Sequence, residues 1–202
     1  MARLEDFRAR WAGHVPEIQD ITTQYAVLVP LVERPEGLSL LYEVRSDTLG
    51  RQPGEVCFPG GRMEAGETPE TCALRETWEE LGIPQPAVEV VAALDLVTHQ
   101  GGFVMHPILG IVDPQAPVVP SPAEVKTFFT VPVDWLVKHP PAVYTYDLVP
   151  QVGEDFPYER VGFPQGYRWR GGRATVPVYD WPEYPIWGLT GRITRQLLEG
   201  MG

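Results

Sequence analysis

From Tyr25 to Val32 the chain reads YAVLVPLV, and from Gly37 to Val44 it reads GLSLLYEV. Short apolar runs of this kind predict buried strands, and Arg34-Pro35-Glu36-Gly37 between them supplies turn residues, so a hairpin is expected. Val88 to Val97 (VEVVAALDLV) and Phe103 to Val112 (FVMHPILGIV) predict a second strand pair around Gly101-Gly102. Pro107 has no N–H for a ladder, which points to an edge or an irregularity there. Four prolines between Asp113 and Pro122 predict a stiff loop, and Val125 to Val131 a further strand. Asp134 to Val137 opens a short helix that His139-Pro140-Pro141 stops. The Gly, Pro and aromatic content up to Tyr184 predicts strands and turns. Leu189, Ile193 and Leu197, four apart, then mark the apolar stripe of a closing helix between Trp187 and Leu198.

One helix stands out among these strands. Thr68 is a good N-cap, Pro69 suits the first helical position, and Gly82 followed by Pro84 supplies a stop, so the helix is expected over Pro69 to Leu81. At 100° per residue, Glu76, Glu79 and Glu80 share an arc of about 100°. Ala73, Leu74, Thr77, Trp78 and Leu81 centre more than a right angle away and are expected to pack on a sheet.

Composition narrows the reading. A chain of 202 residues is long enough for one well-buried domain, which is the expected organisation over residues 1–202. No apolar run reaches membrane-spanning length, and MARLEDFRARWAGHVPE lacks the apolar core of a secretory signal. A soluble protein in the cytoplasm, with no membrane partner, is therefore expected. The net charge of -11, with only 16 Lys and Arg, argues against a nucleic-acid partner. A small anionic substrate would need local cations or metal. Cys57 and Cys72 match no zinc spacing and are expected to be reduced, buried apolar filler.

An isolated ExxEE string is usually only a solvated face. Here, carboxylates near a helix C-terminus oppose the macrodipole and repel one another, each at a cost of some tenths of a kcal/mol. A divalent cation would remove that conflict. Hard oxygen ligands suit Mg²⁺ or Mn²⁺, with water and substrate phosphate in the remaining coordination positions.

The run Gly61-x5-Glu67-x7-Arg75-Glu76-Thr77-x-Glu79-Glu80-x-Gly82-Ile83 resembles the Nudix box, departing only at Thr77, where an aliphatic residue is usual. The resemblance implies a metal-dependent pyrophosphohydrolase of a small nucleoside diphosphate. It implies an α/β/α sandwich around a mixed sheet, with residues 61–83 as loop-helix-loop. It makes Glu76 and Glu80 the principal metal ligands, Glu79 a further one, and the Gly60 carbonyl a candidate backbone ligand. Arg75 would orient Glu76, and Glu67 would stabilise the start of the motif. The family places its general base on the box helix or on a later loop, which makes Glu124 a candidate later acid alongside its plain reading as a surface charge.

Upstream, Leu41-x3-Arg45-Ser46-x7-Gly54-x3-Phe58-Pro59-Gly60-Gly61 is similar to the coenzyme A pyrophosphatase signature LLTxRSx3Rx3Gx3FPGG. Gly50 stands where that signature has Arg, with Arg51 one position late. Tyr42 and Glu43 replace its second Leu and its Thr, and Gln52 its frequent His. Ile186 to Ile193 (IWGLTGRI) is similar to the segment that opens the last helix of that subfamily. The resemblance implies cleavage of coenzyme A or acyl-CoA to 3′,5′-ADP and (acyl-)4′-phosphopantetheine, with Arg45, Arg51, Arg62 and Phe58 as candidate substrate contacts. The alternatives are a hydrolase of ADP-ribose, nucleotide sugars or dinucleotides, and a non-catalytic nucleotide sensor, which would be expected to lose box carboxylates that are all present here.

Overall fold

The structure is a computed structural model that describes residues 3–16 and 18–200. A short helix, α1 (Leu4–Trp11), precedes the long strands β1 (Thr23–Arg34) and β2 (Gly37–Arg45). These form the expected antiparallel hairpin, closed where Arg34 pairs with Gly37. Two short strands follow, β3 (Val56–Cys57) and β4 (Gly60–Arg62), and then helix α2 (Pro69–Leu81). The second expected strand arrives in two pieces, β5 (Val88–Ala93) and β6 (Val97–His99), both antiparallel to β7 (Phe103–Val112).

Pro107 accounts for that break, although not as an edge residue. β7 runs through the sheet interior, parallel to β1 on one side. On its other side β5 pairs with Ile108 to Val112 and β6 with Phe103 to Met105. Pro107 sits at the interruption, where its carbonyl still accepts from the Leu94 N–H at 2.9 Å. The missing donor disturbs one face of the ladder and leaves the other intact.

The order β3-β2-β1-β7-β5 makes the main sheet mixed, with β4 added on β1, β6 on β7, and β8 (Val125–Pro132) on β2. Alternate residues of its central strands point to opposite layers. Val27, Val29, Leu40 and Tyr42 pack with Leu136 of α3 (Val133–Lys138) and Ile193 of α4 (Gly188–Glu199). On the opposite side Ala26, Leu28 and Ile108 meet Cys72 and Ala73 of α2, and Leu41 meets Leu81. This is the expected α/β/α sandwich. A separate sheet, not anticipated, joins β9 (Ala142–Leu148), β10 (Gly172–Tyr179) and β11 (Ile186–Trp187).

Helix α2 begins and ends where its local signals put it. Thr68 Oγ1 accepts from the Thr71 N–H at 3.2 Å, and Gly82 adopts φ 66° while its N–H donates to Trp78 O at 2.9 Å. Its buried arc is rotated from the expected one, however. Thr77 is buried as expected, but Glu80 is buried too, whereas Trp78 is 55% exposed. The Thr77 hydroxyl donates to Ala73 O at 2.7 Å, so its polar atom is satisfied inside the helix and its methyl faces the core. Helix α1 was not expected, and none of its residues is buried. No helix among the described residues is long and apolar enough to cross a membrane.

Candidate active site

Two chain segments make the acidic corner. Pairing of Tyr25, Ala26 and Val27 with Arg62, Gly61 and Gly60 holds β4 flat against β1, directly under α2. Two glycines allow this approach. A β-carbon on Gly60, whose φ is 157°, would stand 2.4 Å from Ala26 O, and one on Gly61 would stand 2.3 Å from Glu76 Cδ. The corner is then tied to the last turn of α2, because the Gly60 N–H donates to Glu80 Oε2 at 2.8 Å.

Arg75 organises the exposed side. Its Nε and Nη2 donate to the two oxygens of Glu67 at 2.9 and 3.1 Å, and its Nη1 to Glu76 Oε1 at 2.8 Å and Glu79 Oε2 at 3.0 Å. One guanidinium thereby spans three carboxylates, in a geometry that a lysine cannot reproduce. Glu67 also receives the Glu64 N–H at 2.9 Å. Hydrogen bonds from Arg75 hold the Glu67 carboxyl below its ordinary range.

Glu76 and Glu80 are pushed the other way. Burial raises both, with neighbouring carboxylates adding to it and Arg75 opposing it at Glu76. A further member of the cluster was missed from the sequence. Glu43, on the same face of β2 as Leu41, is 1% exposed, with Cys57 Sγ donating to its Oε1 at 3.3 Å and its Oε2 unpartnered. Burial raises its pKa, and it in turn raises that of Glu80. The available sign was the departure from the Leu-Thr of the upstream signature, which alone gave no reason to expect burial. Cys57 lies half-buried beside Glu43 and is no simple filler, and burial pushes its thiol up. Cys72 is fully buried as expected, its Sγ 3.6 Å from Gly61 O.

These groups fit a divalent cation chemically. The donors are oxygens, Gly61 leaves room for the Glu76 carboxylate, and the raised carboxyls mark crowded negative charge that a cation would relieve. Among the described residues no three or more acidic, His or Cys side chains are gathered closely enough to hold a metal ion by themselves.

Glu76, Glu80 and Gly60 line one end of a cavity of about 1380 Å³. Arg45, Arg51 and Arg62, all anticipated, line it too, as does Glu124. Glu124 is exposed, and its backbone carbonyl accepts from the Ser46 N–H at 2.8 Å, which fastens it beside β2. Phe58 reaches the wall but is 2% exposed and stacked on Tyr42, with ring centroids 4.8 Å apart, so it supports the wall from the core side. Glu79 does not line the cavity and is tied instead to Arg75. A second part of the lining, from β9, β10, β11 and the start of α4, brings in Arg173, Trp187 and Arg192, none of them anticipated as site residues.

The chain is similar to known proteins over most of its length. The NUDIX domain family model matches residues 22–151. A mouse protein, peroxisomal coenzyme A diphosphatase NUDT7, is 40% identical over 136 residues, covering 67% of this chain and 57% of the mouse protein. The chain thus spans little more than half of that relative. Nudix hydrolase NudL of Escherichia coli is 33% identical over 203 residues, covering 98% of this chain and 95% of NudL. Among solved structures, the Nudix hydrolase RenU of M. smegmatis is 23% identical over 57% of this chain and 73% of its own, with a TM-score of 0.49. The chain belongs to the Nudix family of pyrophosphohydrolases, enzymes that act on small nucleoside diphosphate substrates and generally need divalent metal ions.

Proposed function

We propose that residues 1–202 form one hydrolase domain that cleaves the diphosphate of coenzyme A or acyl-CoA, giving 3′,5′-ADP and (acyl-)4′-phosphopantetheine. One observation carries the reading. The acidic corner of Glu76, Glu80 and Gly60 opens into the same cavity as Arg45, Arg51 and Arg62, so carboxylates for a metal face cations for a polyphosphate. The 40% identity to the mouse coenzyme A diphosphatase supports the same substrate.

Glu76 and Glu80, with Glu79 and the Gly60 carbonyl, would hold Mg²⁺ or Mn²⁺. That ion supplies Lewis acidity toward the diphosphate and lowers the pKa of bound water. The protein's own contribution is positional. Arg75, fixed by Glu67, holds the Glu76 carboxylate in one orientation. Arg45, Arg51 and Arg62 neutralise the diphosphate, which would otherwise repel an incoming nucleophile. Glu124, on the cavity wall, is the candidate to take the proton from water at its carboxylate.

The test is a panel of coenzyme A, acyl-CoA, ADP-ribose, NADH and diadenosine polyphosphates with Mg²⁺ or Mn²⁺, products being identified by mass. Coenzyme A should be cleaved to the two products above, and Glu80→Gln should fold yet lose most activity. ADP-ribose as best substrate with coenzyme A left intact would overturn the substrate, and wild-type turnover of Glu80→Gln at saturating metal would overturn the ligand set.

A further inference from the structure

Five of the chain's 16 Lys and Arg residues line the large cavity, beside Glu55, Glu76, Glu80 and Glu124. In a chain of net charge -11, that gathering of cations favours an anionic ligand there. The five divide between two parts of the chain. Arg45 ends β2, Arg51 lies in the loop before β3, and Arg62 ends β4, the strand of Gly60 and Gly61. Arg173 of β10 and Arg192 of α4 belong to a second wall built by β9, β10, β11 and α4.

The two cations of the second wall are not equivalent. Arg173 Nε donates to Asp147 Oδ1 at 3.2 Å, both side chains being largely exposed, so the pair is worth little. Arg192 has no ion pair and no side-chain hydrogen bond among the described residues, although it projects from a firmly seated helix. On either side of it in sequence, Thr190 and Ile193 are buried, and Thr194 accepts or donates in a 3.0 Å hydrogen bond with Tyr42. An unpaired guanidinium on a fixed backbone, facing a cavity, is a preorganised anion receptor. Trp187, 46% exposed on the same wall, offers a ring on which a nucleobase can stack.

The second wall is joined to the first through β3. Thr190 Oγ1 donates to Val56 O at 3.1 Å, which docks the first turn of α4 onto β3. From Val56 to Gly60 the chain advances four residues, at most about 14 Å. A phosphate held near Gly60 therefore leaves the rest of its nucleotide within reach of Trp187 and Arg192.

We infer that Arg192, supported by Arg173, is a specificity-determining residue that receives a phosphomonoester on the ribose of the nucleotide half, away from the scissile diphosphate. This rests on the hydrolase reading for its biological sense. Its recognition chemistry is separable, because Arg192 and Arg173 are not among the proposed metal ligands.

Calorimetric titration with adenosine 3′,5′-bisphosphate and with AMP isolates the contribution of the second phosphate. The wild type should bind the bisphosphate about tenfold or more tightly over AMP. Arg192→Ala should bring the two within about twofold while leaving AMP affinity unchanged, Arg192→Lys should retain part of the preference, and Arg173→Ala should lower it less. In kinetics, the preference for coenzyme A over dephospho-CoA should fall in Arg192→Ala through KM with kcat unchanged, as expected for uniform binding. Full preference in Arg192→Ala, or a preference that disappears only in Arg45→Ala, Arg51→Ala or Arg62→Ala, would overturn the inference. Failure of the wild type to cleave coenzyme A would overturn the proposed substrate instead, and the binding comparison would still decide the role of Arg192.

Discussion

The backbone of Gly61 lies against the carboxylate of Glu76 so closely that a β-carbon at position 61 would sit 2.3 Å from Cδ and Oε1 of that side chain. Gly60, its neighbour, meets backbone instead, with Ala26 O at 2.4 Å and Val27 Cα at 2.6 Å from the same hypothetical atom. Adjacent glycines therefore guard different things, one the position of a side chain and the other the pairing of β4 with β1.

The two alanine variants should separate these roles. In Gly61→Ala the side chain can yield, so the protein should fold while Glu76 is displaced from Arg75. A loss of at least about 100-fold in kcat/KM, roughly 2.7 kcal/mol, is expected, with weakened binding of Mn²⁺. In Gly60→Ala the backbone must yield at a φ that L-residues avoid, so the expected effect is destabilisation by about 1–3 kcal/mol or more. Thermal melts and Mn²⁺ titrations of both variants check this. Equal loss of stability in the two would contradict the assignment.

Arg75 is argued to act through geometry, not charge alone. Arg75→Lys keeps the charge but cannot offer Nε and Nη2 together to Glu67 while reaching Glu76. Activity or metal affinity should fall about 10- to 100-fold, as when a residue that orients a metal ligand is lost. Glu67→Gln should reproduce much of this effect although Glu67 does not line the cavity. Unchanged Mn²⁺ affinity and turnover in Arg75→Lys would show that the guanidinium is ornamental.

Buried Glu80 makes metal-free stability depend on pH in a direction opposite to most carboxylates. Its folded pKa is raised above the ordinary value of 4.5, burial being the largest cause and Glu43 the next. The stabilisation is complete below that ordinary value, where both states are protonated, and is lost as pH rises through the folded pKa. Glu80→Gln cannot ionise, and its amide oxygen can still accept from the Gly60 N–H. Metal-free Glu80→Gln should therefore be more stable than the wild type at pH 8, by on the order of 1–2 kcal/mol, with the difference closing toward pH 4. Denaturant melts across that range, in chelator, provide the check. Added Mg²⁺ should favour the wild type again. A constant gap at all pH values would mean that the carboxylate is not penalised by burial.

Much of this molecule could be read along the chain because the deciding interactions are local. Thr68 caps its own helix, Gly82 ends it, and the pair Arg34 and Gly37 closes its own hairpin, all through contacts a few residues apart. The acidic face was equally local, since Glu76, Glu79 and Glu80 are placed relative to one another by helical geometry alone. The box spacing added what those contacts could not, namely that Glu67 and Gly61 belong with them.

Other features depended on which surfaces the folded chain brings together. Trp78 has the right periodicity for a core residue, yet α2 is rolled so that Glu80 faces inward and Trp78 outward. Periodicity defines a helix face only to within the width of its apolar arc; the partner sheet selects the rotation. Glu43 and Glu80, 37 positions apart, interact because strand parity directs Glu43 toward the layer that α2 occupies. Arg192 reaches the cavity from α4, which docks through Thr190 on Val56, 134 positions away. Such long-range pairings are set by sheet register and packing against surfaces made elsewhere in the chain, and these are properties of the whole fold that no local window of residues contains.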